Sequence, residues 1–235
     1  MKKEEIFAQV ERRKQDMIDD ICAMVQIDST RGEPQFGKPF GSGPAAALEK
    51  ALEICKREGL VTKNIDGYMG YGSFGESQNY IGIIGHVDVV KVGDGWIDPP
   101  FSAVVHEGRM GIRFSLSYPT CNIDKIVKQV QTKATDLEVK LVSNSPVVLH
   151  HKDSWLVKTM QKAYEEATDT STKPTTTTGG TYAHVCDSII PYGPSLPGQN
   201  GIAHQPNEWV NINDLVSCAK IYAWTLYKLC MAEIP

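Results

Sequence analysis

The feature that most constrains this chain is the apolar run at residues 80–90, Tyr80-Ile81-Gly82-Ile83-Ile84-Gly85-His86-Val87-Asp88-Val89-Val90. It is the longest apolar stretch, and it is far too short to cross a bilayer. It is apolar at consecutive positions, so it suits a strand covered by helices on both faces. That predicts an α/β fold with a buried sheet. The run closes on His86-Val87-Asp88. In open α/β sheets ligands gather beyond the carboxyl ends of such strands. Residues 86 and 88 of an extended strand share a face, so a carboxylate there can orient the imidazole and raise its basicity as a metal ligand.

The rest of the pattern agrees with α/β. Ile6, Val10, Met17, Ile21, Met24 and Val25 recur at helical spacings and predict one amphipathic helix over 6–26. A Gly/Pro/Ser-rich loop fills 28–43. A second helix is expected over 44–58, with Gly59 as its stop. Strands are predicted at 61–65, 68–74, 102–106, 111–118, 137–142 and 189–192. Helices are predicted at 123–134, at 154–168 with Asp153 or Ser154 as N-cap, and at 213–231 capped by Asn211 or Asn213. His106-Glu107-Gly108 reads as a hairpin turn. Residues 169–178 form a Thr-rich linker.

Composition narrows function. The 235 residues allow one large domain or two modest ones. Apolar residues at 41% and charged residues at 22% fit a soluble globular protein. A net charge of −4 without a basic block argues against nucleic acid as a partner. Nothing suggests a membrane segment. The first residues lead into a polar helix and not into the apolar core of a secretory signal. The six cysteines contain no CxxC pair and read as free thiols, so the expected location is the cytoplasm. No phosphate-binding P-loop, dinucleotide fingerprint, nucleophile elbow or HExxH helix is present. Gly70-Tyr71-Gly72 lacks the third glycine that a dinucleotide turn needs. Among the other histidines, His150 and His151 read as surface residues. His184 follows Gly179-Gly180, whose backbone can approach a ligand closely. His204 lies in a Gly/Pro loop.

Three blocks together carry a resemblance. They are Gly85-His86-Val87-Asp88-Val89-Val90 followed by Gly95-Trp96 and Asp98-Pro99-Pro100-Phe101-Ser102; Gly179-Gly180-Thr181-Tyr182-Ala183; and Ala203-His204-Gln205-Pro206-Asn207-Glu208. Their order and wording resemble the aminoacylase/carnosinase family of di-zinc metallopeptidases, and within it the bacterial dipeptidase V branch. The resemblance implies a catalytic domain with a mixed sheet sandwiched by helices, and a remnant of an inserted α+β lid domain. It implies boundaries at 1–110 for the first part of the catalytic domain, 111–145 for the lid remnant and 146–235 for the second part. It implies two Zn²⁺ ions, with Mn²⁺ or Co²⁺ as substitutes, and a small peptide as substrate. His86 and His204 would be metal ligands, and Asp88 the catalytic residue that orients His86. Gly179, Gly180, His184 and Asn207 would lie against the substrate.

The chain also departs from that pattern. The family's bridging Asp, its Glu-Glu pair and a further Asp ligand have no counterpart, because Arg109-Met110 runs directly into Gly111-Ile112-Arg113. Lys91 stands where a Pro is usual, and His184 where an Arg often meets the substrate carboxylate. A zinc site needs at least three protein ligands plus water. The expectation is therefore a dipeptidase sequence lacking its middle, whose 235 residues do not hydrolyse dipeptides by themselves. The alternatives are an N-acyl amino acid hydrolase and a non-catalytic peptide-binding remnant.

Overall fold

The computed structural model describes residues 1–106, 109–110, 128, 131–132, 148–175, 181–186, 188–193 and 206–233. Its elements in chain order are α1 (Lys3–Arg12), α2 (Lys14–Val25), α3 (Ser42–Arg57), β1 (Val61–Ile65), β2 (Met69–Ser73), β3 (Val105–His106), β4 (Arg109–Met110), α4 (Trp155–Thr168), a 3₁₀ turn (Tyr182–Val185), β5 (Val210–Asn211) and α5 (Ile212–Met231).

The helix expected over 6–26 is two helices. Arg13 leaves helical geometry (φ −97°, ψ 9°) and divides them. The division lets each half follow its own partner. α1 buries Ile6 beside Ala163 of α4 and Trp224 of α5, with Phe7, Ala167, Ala223 and Tyr227 around them. Trp224 stacks on Tyr227 at 5.4 Å between ring centroids, and its indole N–H donates to Glu166 Oε2 at 2.9 Å. Lys228 reaches the same carboxylate at 3.2 Å. The Glu166 carboxyl lies below its ordinary pKa: burial pushes it up, but the Trp224 and Lys228 hydrogen bonds outweigh that. At the far end of α1, Lys220 Nζ pairs with Glu11 at 2.5 Å.

α2 lies on α3 instead. Arg13 grips Glu58 with two bonds at 2.5 and 2.7 Å, and Arg57 pairs with Asp20 at 2.5 Å. α3 stops at Gly59, which takes φ +85°, a left-handed conformation that glycine adopts without a Cβ clash. β1 and β2 then form an antiparallel hairpin, with Val61 opposite Ser73 and Ile65 opposite Met69. Gly70 and Gly72 face α3. A Cβ at Gly70 would stand 2.9 Å from Leu52 Cδ1, and one at Gly72 would stand 2.9 Å from Leu60 Cδ2. These glycines let the strand sit close on the helix, which accounts for the Gly70-Tyr71-Gly72 motif without a nucleotide.

Caps predicted from sequence hold where they are described. Ser154 Oγ accepts from Val157 N at 3.4 Å, and Asn211 Oδ1 accepts from Asn213 N at 2.9 Å. β3 and β4 form the expected hairpin around His106, and β4 pairs in turn with β5, all antiparallel.

Two strand expectations fail. Residues 80–88 take no strand conformation, and Ile81, Ile83 and Ile84 are exposed (40%, 77% and 59%). A strand needs a neighbour for its backbone groups. Among the described residues this segment finds one only at Val89, in a single parallel bridge to Thr30. Residues 189–192 are likewise not a strand. Tyr192 is tied to α5 by its hydroxyl, 2.8 Å from Thr225 Oγ1, and by its carbonyl, which accepts from Tyr222. The described residues thus combine helices with two small antiparallel sheets. The expected elements at 111–118 and 137–142 lie outside them. So does nearly all of the span 111–145, in which Lys128, Gln131 and Thr132 are helical.

Candidate functional site

His86 and Asp88 sit on the segment that Val89 anchors beside the buried Ser29, whose carbonyl accepts from Val89 N at 3.3 Å. His86 Nδ1 lies 2.9 Å from the Asp88 carbonyl oxygen and 3.4 Å from Asp88 Oδ1. Both neighbours are acceptors, so an N–H at Nδ1 would find a partner in either. A carbonyl or carboxylate behind Nδ1 is the arrangement that orients a ligating imidazole. The Asp88 carbonyl and carboxylate both lie within reach of Nδ1.

Tyr182 packs against the His86 ring at 6.1 Å between centroids, tilted by 60°. Burial pushes its phenol up in pKa, and the Asp88 carboxylate pushes it further. Sequence reasoning passed over this residue. Its signal was its place two positions after Gly179-Gly180, where backbone approach was already expected. The turn that holds it is capped by Thr181, whose Oγ1 accepts from Ala183 N at 3.2 Å. His184 is exposed, with Nδ1 against the Thr181 carbonyl of its own turn.

Asn207 joins the third block to the first. Its Oδ1 accepts from Ile97 N at 2.8 Å, and its Nδ2 donates to the Gly95 carbonyl at 3.3 Å. Next to it Glu208 is buried, 6% exposed. The Asp98–Ser102 stretch is folded on itself, since Ser102 N and Oγ both donate to the Pro99 carbonyl at 2.9 and 2.7 Å.

Of the residues expected from sequence, His86, Asp88, His184 and Asn207 are therefore placed, whereas Gly179, Gly180 and His204 lie outside the described residues. His151 is exposed, as expected. His150 is not a plain surface residue: it is half-buried, with Nε2 sheltered and without a hydrogen-bond partner among the described residues. Cys55, Cys218 and Cys230 are free thiols, whereas Cys22 Sγ lies 3.9 Å from the Ala103 carbonyl oxygen and Cys186 Sγ 3.1 Å from Ser188 Oγ.

Whether these side chains could hold a zinc pair is a question of donors. Among the described residues no three His, Cys, Asp or Glu side chains gather where a metal ion could bind. His86 supplies one imidazole, and one imidazole is not a site. The described donors alone do not complete a two-metal centre.

Comparison with known proteins meets this geometry. Residues 116–228, just under half of the chain, match the family model described as Peptidase family M20/M25/M40. Over that stretch the chain is similar to the M20 peptidases. Over 107 residues it is 44% identical to the protein of Bacillus subtilis (strain 168) named "Putative dipeptidase YtjP". Over 103 residues it is 37% identical to the Beta-Ala-Xaa dipeptidase of Lactobacillus delbrueckii subsp. lactis. These alignments cover 45% and 43% of this chain but only 23% and 22% of the relatives. The chain thus matches under a quarter of the length of the curated relatives. The matched family stretch contains Gly179, Gly180, His184, His204 and Asn207; His86 and Asp88 precede it.

Proposed function

We propose that this chain is the sequence of a metal-dependent dipeptidase, in which His86 ligates one metal and His204 the other. Asp88 orients His86, and Gly179, Gly180 and His184 face a small unblocked peptide. Zn²⁺ is the proposed metal, with Mn²⁺ or Co²⁺ as substitutes, and the cytoplasm the proposed location. When bound, the metal pair would supply an activated water for attack on the peptide carbonyl. The residues of this chain contribute orientation: the Asp88 carbonyl would accept from an N–H at His86 Nδ1, and Tyr182 covers one side of that ring. The observation that carries the reading is the convergence of segments remote in sequence. His86 meets Tyr182, and the loop after His86 meets Asn207, although these pairs lie roughly 100 residues apart. The dipeptidase names of the relatives support the reaction class.

Protein expressed from its full gene is expected to hydrolyse unblocked dipeptides once loaded with metal, and to leave N-acyl amino acids largely intact. Loss of any metal-dependent cleavage overturns the reading, and preference for acylated substrates turns it into an aminoacylase-like one. A second reading is favoured by the incomplete donor set: the 235 residues alone are a non-catalytic, peptide-binding remnant. Metal-dependent hydrolysis by these 235 residues would exclude it.

A further inference from the structure

We propose that Asn207 is a positioning residue, a latch that fixes the segment around residues 206–208 against the loop at 95–97. The role goes beyond the substrate contact expected of it and rests on the dipeptidase reading only for its catalytic consequence. Both ends of its amide are committed to backbone: the oxygen to Ile97 N–H at 2.8 Å and the nitrogen to the Gly95 carbonyl at 3.3 Å. A side-chain amide that bonds an N–H and a C=O two residues apart reproduces the pairing a neighbouring strand would make. These two bonds use one of its two N–H groups and one of its two oxygen lone pairs.

The surrounding backbone is shaped for this contact. Asn207 takes φ +62°, a left-handed conformation that Asn tolerates better than most non-glycine residues. Gly95 opposite it takes φ +92°, and a Cβ there would already touch the Pro206 ring at 3.7 Å. Trp96 Nε1 donates to the Val92 carbonyl at 2.9 Å, which closes the receiving loop on itself. The loop follows His86 by nine residues, and Asn207 follows His204 by three. Three residues span at most about 11 Å, so a latched Asn207 confines the chain on either side of it. The latch therefore joins the first and third family blocks through two bonds, without contributing a ligand.

The test uses protein expressed from the full gene, with Asn207→Gly and Asn207→Asp. Glycine keeps the left-handed backbone and removes the amide. Aspartate keeps an acceptor for Ile97 N–H but sets an oxygen against the Gly95 carbonyl. Amide hydrogen exchange at Ile97 is expected to speed up about fivefold in Asn207→Gly and to stay near wild type in Asn207→Asp. In dipeptide cleavage, Asn207→Gly is expected to lower kcat about tenfold with KM changed less than twofold, and Asn207→Asp to recover part of kcat. Unchanged exchange at Ile97 in Asn207→Gly overturns the latch. A raised KM with intact kcat also overturns it, because that is the signature of a substrate contact. If the wild-type protein cleaves no dipeptide, the family reading falls, and exchange at Ile97 still decides the latch.

Discussion

The helical unit of α1, α4 and α5 and the segment at 80–102 are built from similarly apolar sequence and end in opposite states. In the first, Ile6, Ala163 and Trp224 are buried around one another. In the second, Ile81, Ile83 and Ile84 face solvent, and order comes from bonds such as Ser102 to Pro99 and Ile97 to Asn207. A helix satisfies its own backbone groups and needs a partner for only one face. A buried strand needs neighbours along both edges and cover on both faces. Apolar sequence therefore becomes core here only where its backbone is already paired.

The sharpest way to break this contrast is Trp224→Ala. It removes the centre of the helical core and the indole donor to Glu166, and should cost about 3–5 kcal/mol in urea unfolding; a loss below about 1 kcal/mol would mean that the core lies elsewhere. Gly70→Val asks whether the hairpin depends on close approach to α3. Its Cβ alone would meet Leu52, so about 1–3 kcal/mol should be lost, and a neutral result would show that the hairpin moves freely. A smaller effect is expected at the α2–α3 ion pairs. The Arg13 hydrogen bonds, with those of Arg57, hold the Glu58 carboxyl down to about 2 from an ordinary 4.5 despite some opposing burial. The folded pKa is depressed, so this stabilisation is present above about 4.5 and fades as pH falls toward about 2. The pair is solvent-exposed and screened by salt, so Arg13→Ala should flatten the acid limb of a stability–pH curve slightly, and less so at high salt. The smallest effect belongs to Ile84→Ser. At an exposed position stability should change by no more than about 0.5 kcal/mol, and a large loss would show that the segment is packed after all.

What the sequence made legible follows the same division. α4 and α5 and their caps at Ser154 and Asn211 are local, set by residues a few positions apart, and they were read almost to the residue. The β1–β2 hairpin was equally readable, because its partner is the next strand. The break at Arg13 was not, since Ile6 and Met17 keep one helical period while their partners lie on different elements. The run at 80–90 was misjudged because hydrophobicity reports what a strand would bury and not whether a neighbour exists. At the site, the His86–Asp88 relation was visible from spacing two residues apart. Tyr182 and the double bond of Asn207 to the 95–97 loop were hidden, because nothing in a linear pattern marks contacts across about 100 positions.

The packing of α1 against α5 sets a timetable. Ile6 and its partner Trp224 lie 218 positions apart in the sequence. At ribosomal speeds of roughly 5–20 residues per second, Ile6 and Phe7 wait roughly 10–40 seconds for that surface to emerge. During that wait the apolar side of this segment has no partner to bury it.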